Sequence, residues 1–96
     1  MKIISIFEFA GEFAENKDEA RRIRQELITP VLKELTGEVI LDFSGVQATT
    51  QSFIHALISS LIREYGGDVL ERISFRNCNE TVKKIVGIVV DYMQES

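Results

Sequence analysis

Three hydroxyls, Thr49, Thr50 and Ser52, crowd the polar stretch 44–52, just past the apolar run Val39-Ile40-Leu41. Hydroxyls at the entrance to a helix have two uses. They accept hydrogen bonds from the first free backbone N–H groups. Alternatively they accept a phosphoryl group, which brings about −1.5 to −2 charge to a helix end whose dipole tolerates it. Asp42, at the end of the apolar run, fits a carboxylate that orients the loop by accepting backbone N–H bonds. Cation binding is its other use, but a lone carboxylate is a poor metal site. Ser44, Gly45 and Gln51 complete this loop, and Asn77 and Asn79 bracket a second turn. Cys78 lies in that second turn, ahead of a helix N-terminus, a position that lowers a thiol pKa. No second cysteine is present to resolve a disulfide. His55 is the only histidine, and no converging group is spaced to make it a metal ligand or triad member, so it reads as a polar helix face. Glycines form neither a dinucleotide nor a Walker phosphate loop. With no acid–base or nucleophile–base pair, neither an enzyme nor a cofactor or metal is expected.

These residues need elements to position them. Residues 2–9, rich in Ile and Phe, read as a strand ended by Ala10-Gly11. Asn16 or Asp18 caps the next element, with Glu19 in the capping-box position after Asn16. Residues 18–35 are helical in period, with Ala20, Ile23, Leu27, Ile28, Val31 and Leu35 on one stripe. Pro30 interrupts that stripe and predicts a kink or two short helices. The unbroken apolar run at 39–41, followed by Phe43, suits a strand covered on both faces. Residues 51–65 form the clearest helix, with Phe53, Ile54, Leu57, Ile58, Leu61, Ile62 and Tyr65 on its stripe and Gly66-Gly67 as its stop. Residues 71–76 alternate as a strand, Asn79 caps, and 81–94 form the last helix. Ile88 and Val90 fall off that helix's stripe and are candidates for contact with another subunit or partner. The order β-α-β-α-β-α implies an α/β fold with a small, mixed, mostly parallel sheet packed with helices. Parallel strands put the turns 44–52 and 77–80 on one edge, where open α/β sheets bind ligands.

Size and charge narrow the classes. The 96 residues are expected to form one domain spanning 1–96. A net charge of −4 argues against nucleic acid. Arg21, Arg22 and Arg24 are the one dense basic cluster, and with Glu15, Asp18, Glu19 and Glu26 beside them they read as a solvated helix face. The apolar run at 3–7 is too short, and too soon followed by Glu8, for a secretory signal or a membrane span. A cytoplasmic protein without a membrane partner is therefore expected.

The segment LDFSGVQATTQSFIHALISSL resembles the centre of STAS domains, the sulfate-transporter and anti-sigma-factor-antagonist fold. ISFRNCNETVKKIV resembles their later strand, Asn-containing turn and helix. The pattern is more similar to bacterial STAS-like domains of unknown function (DUF4325), through Asp42, Phe43, Gly45, Val46, Ser52 and Phe53, with Gly11 and Phe13 upstream. The resemblance covers nearly the whole chain and implies a non-enzymatic regulatory module that binds a protein partner at the turn before the second long helix. The partner it implies is a histidine-kinase-like ATPase or a regulator, with a homodimer as a further option. In the anti-sigma-antagonist branch a kinase phosphorylates the first serine of Asp-Ser-Ser-Gly. Without gaps that serine falls on Gln51, which cannot accept phosphate, leaving Ser52, Thr50 or Thr49 to host a shifted version. The alternative function is sensing of a small ligand or nucleotide at the same sheet edge.

Overall fold

The computed structural model describes residues 1–95, with side chains through Gln94. In chain order the elements are β1 (Lys2–Ser5), α1 (Ile6–Ala10), β2 (Phe13–Ala14), α2 (Lys17–Ile23), a π-helical turn (Arg24–Ile28) and α3 (Thr29–Leu32). There follow β3 (Val39–Asp42), β4 (Ala48–Thr49), α4 (Gln51–Tyr65), a 3-10 segment (Gly67–Arg72), β5 (Ile73–Arg76) and α5 (Glu80–Glu95). Strands β1, β3 and β5 form a sheet with β3 in the middle, and both pairings are parallel. β2 and β4 form a separate parallel pair. The fold is thus α/β as expected, with every described strand pair parallel. No helix among the described residues is long and apolar enough to cross a membrane.

One face of the main sheet makes the core. Val39 and Leu41 of β3 are buried with Ile4, Ile73 and the stripe Phe53, Ile54, Leu57, Ile58 and Leu61 of α4. The expectation that β3 is covered on both faces is wrong. Its burial alternates, with Ile40 and Asp42 half-buried, and Ile3, level with Ile40 on the same face, is 63% exposed. The helices pack α2 on α4 and α4 on α5, so the apolar run fills one face and leaves Ile40 on the other. A run of three apolar residues does not separate these cases; the neighbouring strands do.

The first strand is shorter than its composition suggests. Ser5 caps α1 by accepting from the Glu8 N–H at 3.4 Å, so the chain turns helical at Ile6 and buries that side chain. In the long helical segment, Asn16 is the cap, accepting from the N–H groups of Asp18 and Glu19. The reciprocal half of the capping box is not formed: the Glu19 carboxylate pairs instead with Arg22 at 2.6 Å. Pro30 is handled without a break. The turn ahead of it widens to a π-helix, with the Thr29 N–H bonded to the Arg24 carbonyl five residues back. That extra residue rotates the downstream face by one position. Leu32 takes the inward place expected of Val31 and is buried; the helix then ends at Leu32 rather than Leu35, so Leu35, expected on the stripe, lies in the turn beyond it and is 96% exposed.

The helical segment is closed from a distance. Arg72, at the end of the 3-10 segment, donates Nε to the Gly37 carbonyl and Nη2 to the Leu32 carbonyl, each at 2.9 Å, and also bonds the Glu34 carbonyl. The Leu32 carbonyl is one that the end of α3 leaves unpaired, and the other two belong to the turn that follows it. Gly37 is held so closely that an added Cβ would lie 1.9 Å from the Val31 carbonyl oxygen. Gly87, in α5, has nothing within 4 Å of the same position. Gly37→Ala is therefore expected to destabilise by about 2 kcal/mol or more, since backbone has to move. Gly87→Ala is expected to stabilise by about 0.5–1 kcal/mol through helix propensity. Paired urea denaturation curves check both signs.

Candidate functional site

Parallel pairing puts the β3–α4 turn and the β5–α5 turn side by side, as the strand order implies. Two asparagines fasten them. Asn77 Nδ2 donates to Asp42 Oδ1 at 3.0 Å, and Asn79 Nδ2 donates to the Gln47 carbonyl at 2.9 Å. Asn79 also accepts from the Val82 N–H at 2.8 Å, so one side chain both caps α5 and holds the other turn. Asn77 takes a left-handed backbone conformation, φ 59°, which asparagine tolerates better than most residues.

Asp42 has the role in the loop that its position suggests. The same Oδ1 accepts the Ser44 N–H at 2.9 Å. The Asn77 bond, then the Ser44 bond, hold its carboxyl below the usual carboxylate range. No group of acidic, histidine or cysteine side chains among the described residues is placed to hold a metal ion. Gly45 is required twice over. Its φ is +89°, and a Cβ there would lie 2.9 Å from Phe7 of α1. Beneath the turns, Phe43 is buried and stacks on Phe75 with ring centroids 6.2 Å apart. The Phe43 N–H reaches the Arg76 carbonyl at 2.9 Å, extending the ladder into the loop.

A third segment joins the edge that the sequence reading missed. The Glu12 carbonyl accepts from the N–H groups of Gln47 and Ala48, and its carboxylate accepts Gln47 Nε2 at 3.0 Å. β2 then pairs with β4, Phe13 opposite Ala48 and Ala14 opposite Thr49. Two-residue strands have no periodicity to detect; the available signal was Gly11 and Phe13 standing ahead of the first long helix.

The three hydroxyls have different surroundings. Thr49 Oγ1 donates to the Ala14 carbonyl at 2.7 Å and is half-buried. Thr50 is the α4 cap, its hydroxyl accepting the Phe53 N–H at 3.1 Å. Ser52 and Gln51 are exposed on the first turn of α4. Cys78 departs from expectation. It is half-buried, and burial pushes its thiol pKa up rather than down. His55 is exposed on the polar side of α4, as read from the sequence. Arg24 departs from the solvated face assigned to its cluster: it is half-buried, with Nη1 on the Ala56 carbonyl at 2.8 Å.

The depressed Asp42 pKa sets a pH dependence. The stability it contributes is present above the unfolded-state value of about 3.9 and disappears as pH falls through the lower folded value. Asp42→Asn is therefore expected to be less stable than the parent chain at pH 6, with the gap narrowing as the pH approaches 3. Denaturant midpoints across that range check this; a gap independent of pH contradicts it.

A search of curated proteins finds no match to this chain, and a search of solved structures finds none. A family model described as a STAS-like domain of unknown function (DUF4325) matches residues 19–83. That span holds both turns, Asp42, the three hydroxyls and both asparagines, together with α4 and the start of α5. The chain belongs to the family of STAS-like domains of unknown function.

Proposed function

We propose that the chain is a non-enzymatic regulatory module that docks a protein partner on the edge made by the two fastened turns. The observation that carries this is the pair of bonds Asn77–Asp42 and Asn79–Gln47. They hold the two turns together, and Ser44, Gln47, Gln51, Ser52, Asn79 and Glu80 are exposed on them. Interfaces favour such preorganised surfaces because less loop ordering opposes binding. The implied partner class is a histidine-kinase-like ATPase or a regulator, as in the anti-sigma-antagonist domains that the turn resembles.

If the docking is switched by phosphorylation, Ser52 is the residue that suits the task. Thr49 and Thr50 are engaged in bonds that hold the turn and start the helix. Ser52 is exposed and follows Gln51, which stands where the switch serine would be. Negative charge in the first turn of α4 agrees with the helix dipole, so the fold tolerates it. The same charge repels an acidic partner surface or misfits one built for a hydroxyl.

Ser52→Glu is expected to leave stability unchanged or raise it by about 0.3–1 kcal/mol, while abolishing capture of the partner from host extract. Glu38→Lys, at the opposite edge of the sheet, is expected to keep that capture. Quantitative mass spectrometry of both pull-downs checks this. A protein lost with neither variant, or lost equally with both, contradicts the reading.

A further inference from the structure

β5 is an edge strand of the three-stranded sheet, with β3 as its one neighbour. Successive residues of a paired strand turn their N–H and C=O groups to opposite sides. The Arg76 carbonyl faces β3, where it accepts the Phe43 N–H at 2.9 Å. Phe75, one residue earlier, therefore turns both its N–H and its C=O away from the sheet, and Ile73 turns its C=O the same way. The Ile73 N–H is already bonded to the Leu70 carbonyl. Strand edges are commonly blunted by proline, by charge or by a covering element. Ile73-Ser74-Phe75 has no proline and no charge. Beside it lies a groove of about 620 Å³ between the 3-10 segment and α5.

The floor of this groove is apolar. Leu70, Phe75 and Val90 line it half-buried, with the buried Val86. Gly87 also lines it and has open space where a side chain would stand, so α5 keeps the groove clear. The rim is acidic. Asp68 and Glu71 come from the 3-10 segment and Asp91 from α5, and all three are exposed. None forms an ion pair with a described residue. Lys83 is the one basic residue among the described residues lining the groove. It stands two turns from Asp91, about 12 Å along the helix axis, and its charge acts on Cys78 in the turn before α5. The Asp91 end is thus the negative one, and the carboxyl end of the α5 dipole adds to it. A strand added to this edge would bond Phe75 and lay alternate side chains on the floor. Lysine and arginine suit both floor and rim, because their apolar stems can lie on Leu70, Phe75 and Val90 while their heads reach the acids. A second copy pairing through its own β5 would bring two acidic rims together, and like charges across an interface are costly.

We propose that the free edge of β5 binds an extended segment of a partner protein by strand addition, the segment's apolar and basic side chains filling the groove between the 3-10 segment and α5. No residue lining this groove belongs to the turns 44–52 and 77–80, so the site stands whether or not a partner docks on those turns.

The test is titration of the isotope-labelled chain with the end-capped peptide Thr-Lys-Thr-Val-Thr-Lys-Thr, followed by amide shifts and hydrogen exchange in NMR. Two further peptides serve as comparisons, one with both lysines replaced by glutamate and one N-methylated along its backbone. Saturable shifts at Leu70, Phe75 and Val90 are expected with the lysine peptide, and exchange of the Phe75 N–H is expected to slow as it gains a partner. The N-methylated peptide is expected to bind about tenfold more weakly or worse, the worth of one or two ladder bonds, and the glutamate peptide to bind more weakly as well. Glu71→Lys is expected to weaken the lysine peptide about two- to fivefold, the worth of an exposed ion pair. Gly87→Leu is expected to abolish binding by filling the floor, with the fold intact because leucine favours a helix over glycine and the space is open. Unchanged exchange at Phe75, or an affinity unmoved by Gly87→Leu, overturns the proposal. Equal binding of the N-methylated peptide overturns strand addition. Equal binding of the glutamate peptide, or an affinity unmoved by Glu71→Lys, overturns the basic partner. Shifts at Phe75 that grow with chain concentration alone overturn it in favour of a second copy.

Discussion

Parallel pairing of β3 with both neighbours is the constraint from which the rest follows. A strand hydrogen-bonded in parallel on each side sends its own exit and the exit of β5 to one edge. The helices that follow therefore begin next to each other, and their N-terminal N–H groups need acceptors there. Thr50 and Asn79 supply them. Asp42, the last residue of the central strand, receives both Ser44 and Asn77. The polar edge is thus a consequence of sheet topology, and the core beneath it, ending in the Phe43–Phe75 stack, keeps the two turns level.

Much of this was legible because it is local. The α4 helix declares itself through a stripe sustained over four turns, and its bounds follow from Thr50 and Gly66. Asn16 and Asn79 cap where short polar side chains before a helix do so. What escaped was set by partners distant in sequence. Arg72 closes the helix ending at Leu32, which no periodicity in either segment announces. The π turn before Pro30 moves the inward face from Val31 to Leu32, a change of register that a count of three- and four-residue steps does not contain, and the helix ends there, leaving Leu35 in the exposed turn beyond it. Ile40 looked like core because its neighbours are.

The site divides the same way. Asp42, the caps and the shared edge were readable from residue type and strand order. Glu12 and Gln47 were not, because their bonds join segments 35 residues apart, partly through backbone atoms that every residue possesses and partly through one side-chain pair that no local pattern marks. The packing role of Arg24 was hidden by the opposite effect. Read along the chain, Arg21, Arg22 and Arg24 alternate with acids and look solvated. In space, Arg21 turns to Asp18 and Arg22 to Glu19, whereas Arg24 is half-buried and donates to the Ala56 carbonyl.

The two turns behave as one unit, and Asn79 permits a clean test of it. Aspartate caps a helix as well as asparagine does, so Asn79→Asp keeps the bond to the Val82 N–H and removes the donor to the Gln47 carbonyl. Native-state amide hydrogen exchange is the measurement. Faster exchange is expected at Gln47 and Ala48 with protection at Val82 unchanged, because the far turn loosens while α5 stays capped. Unchanged exchange at Gln47 and Ala48 would show that each turn holds its shape alone, and the composite surface would not exist as described.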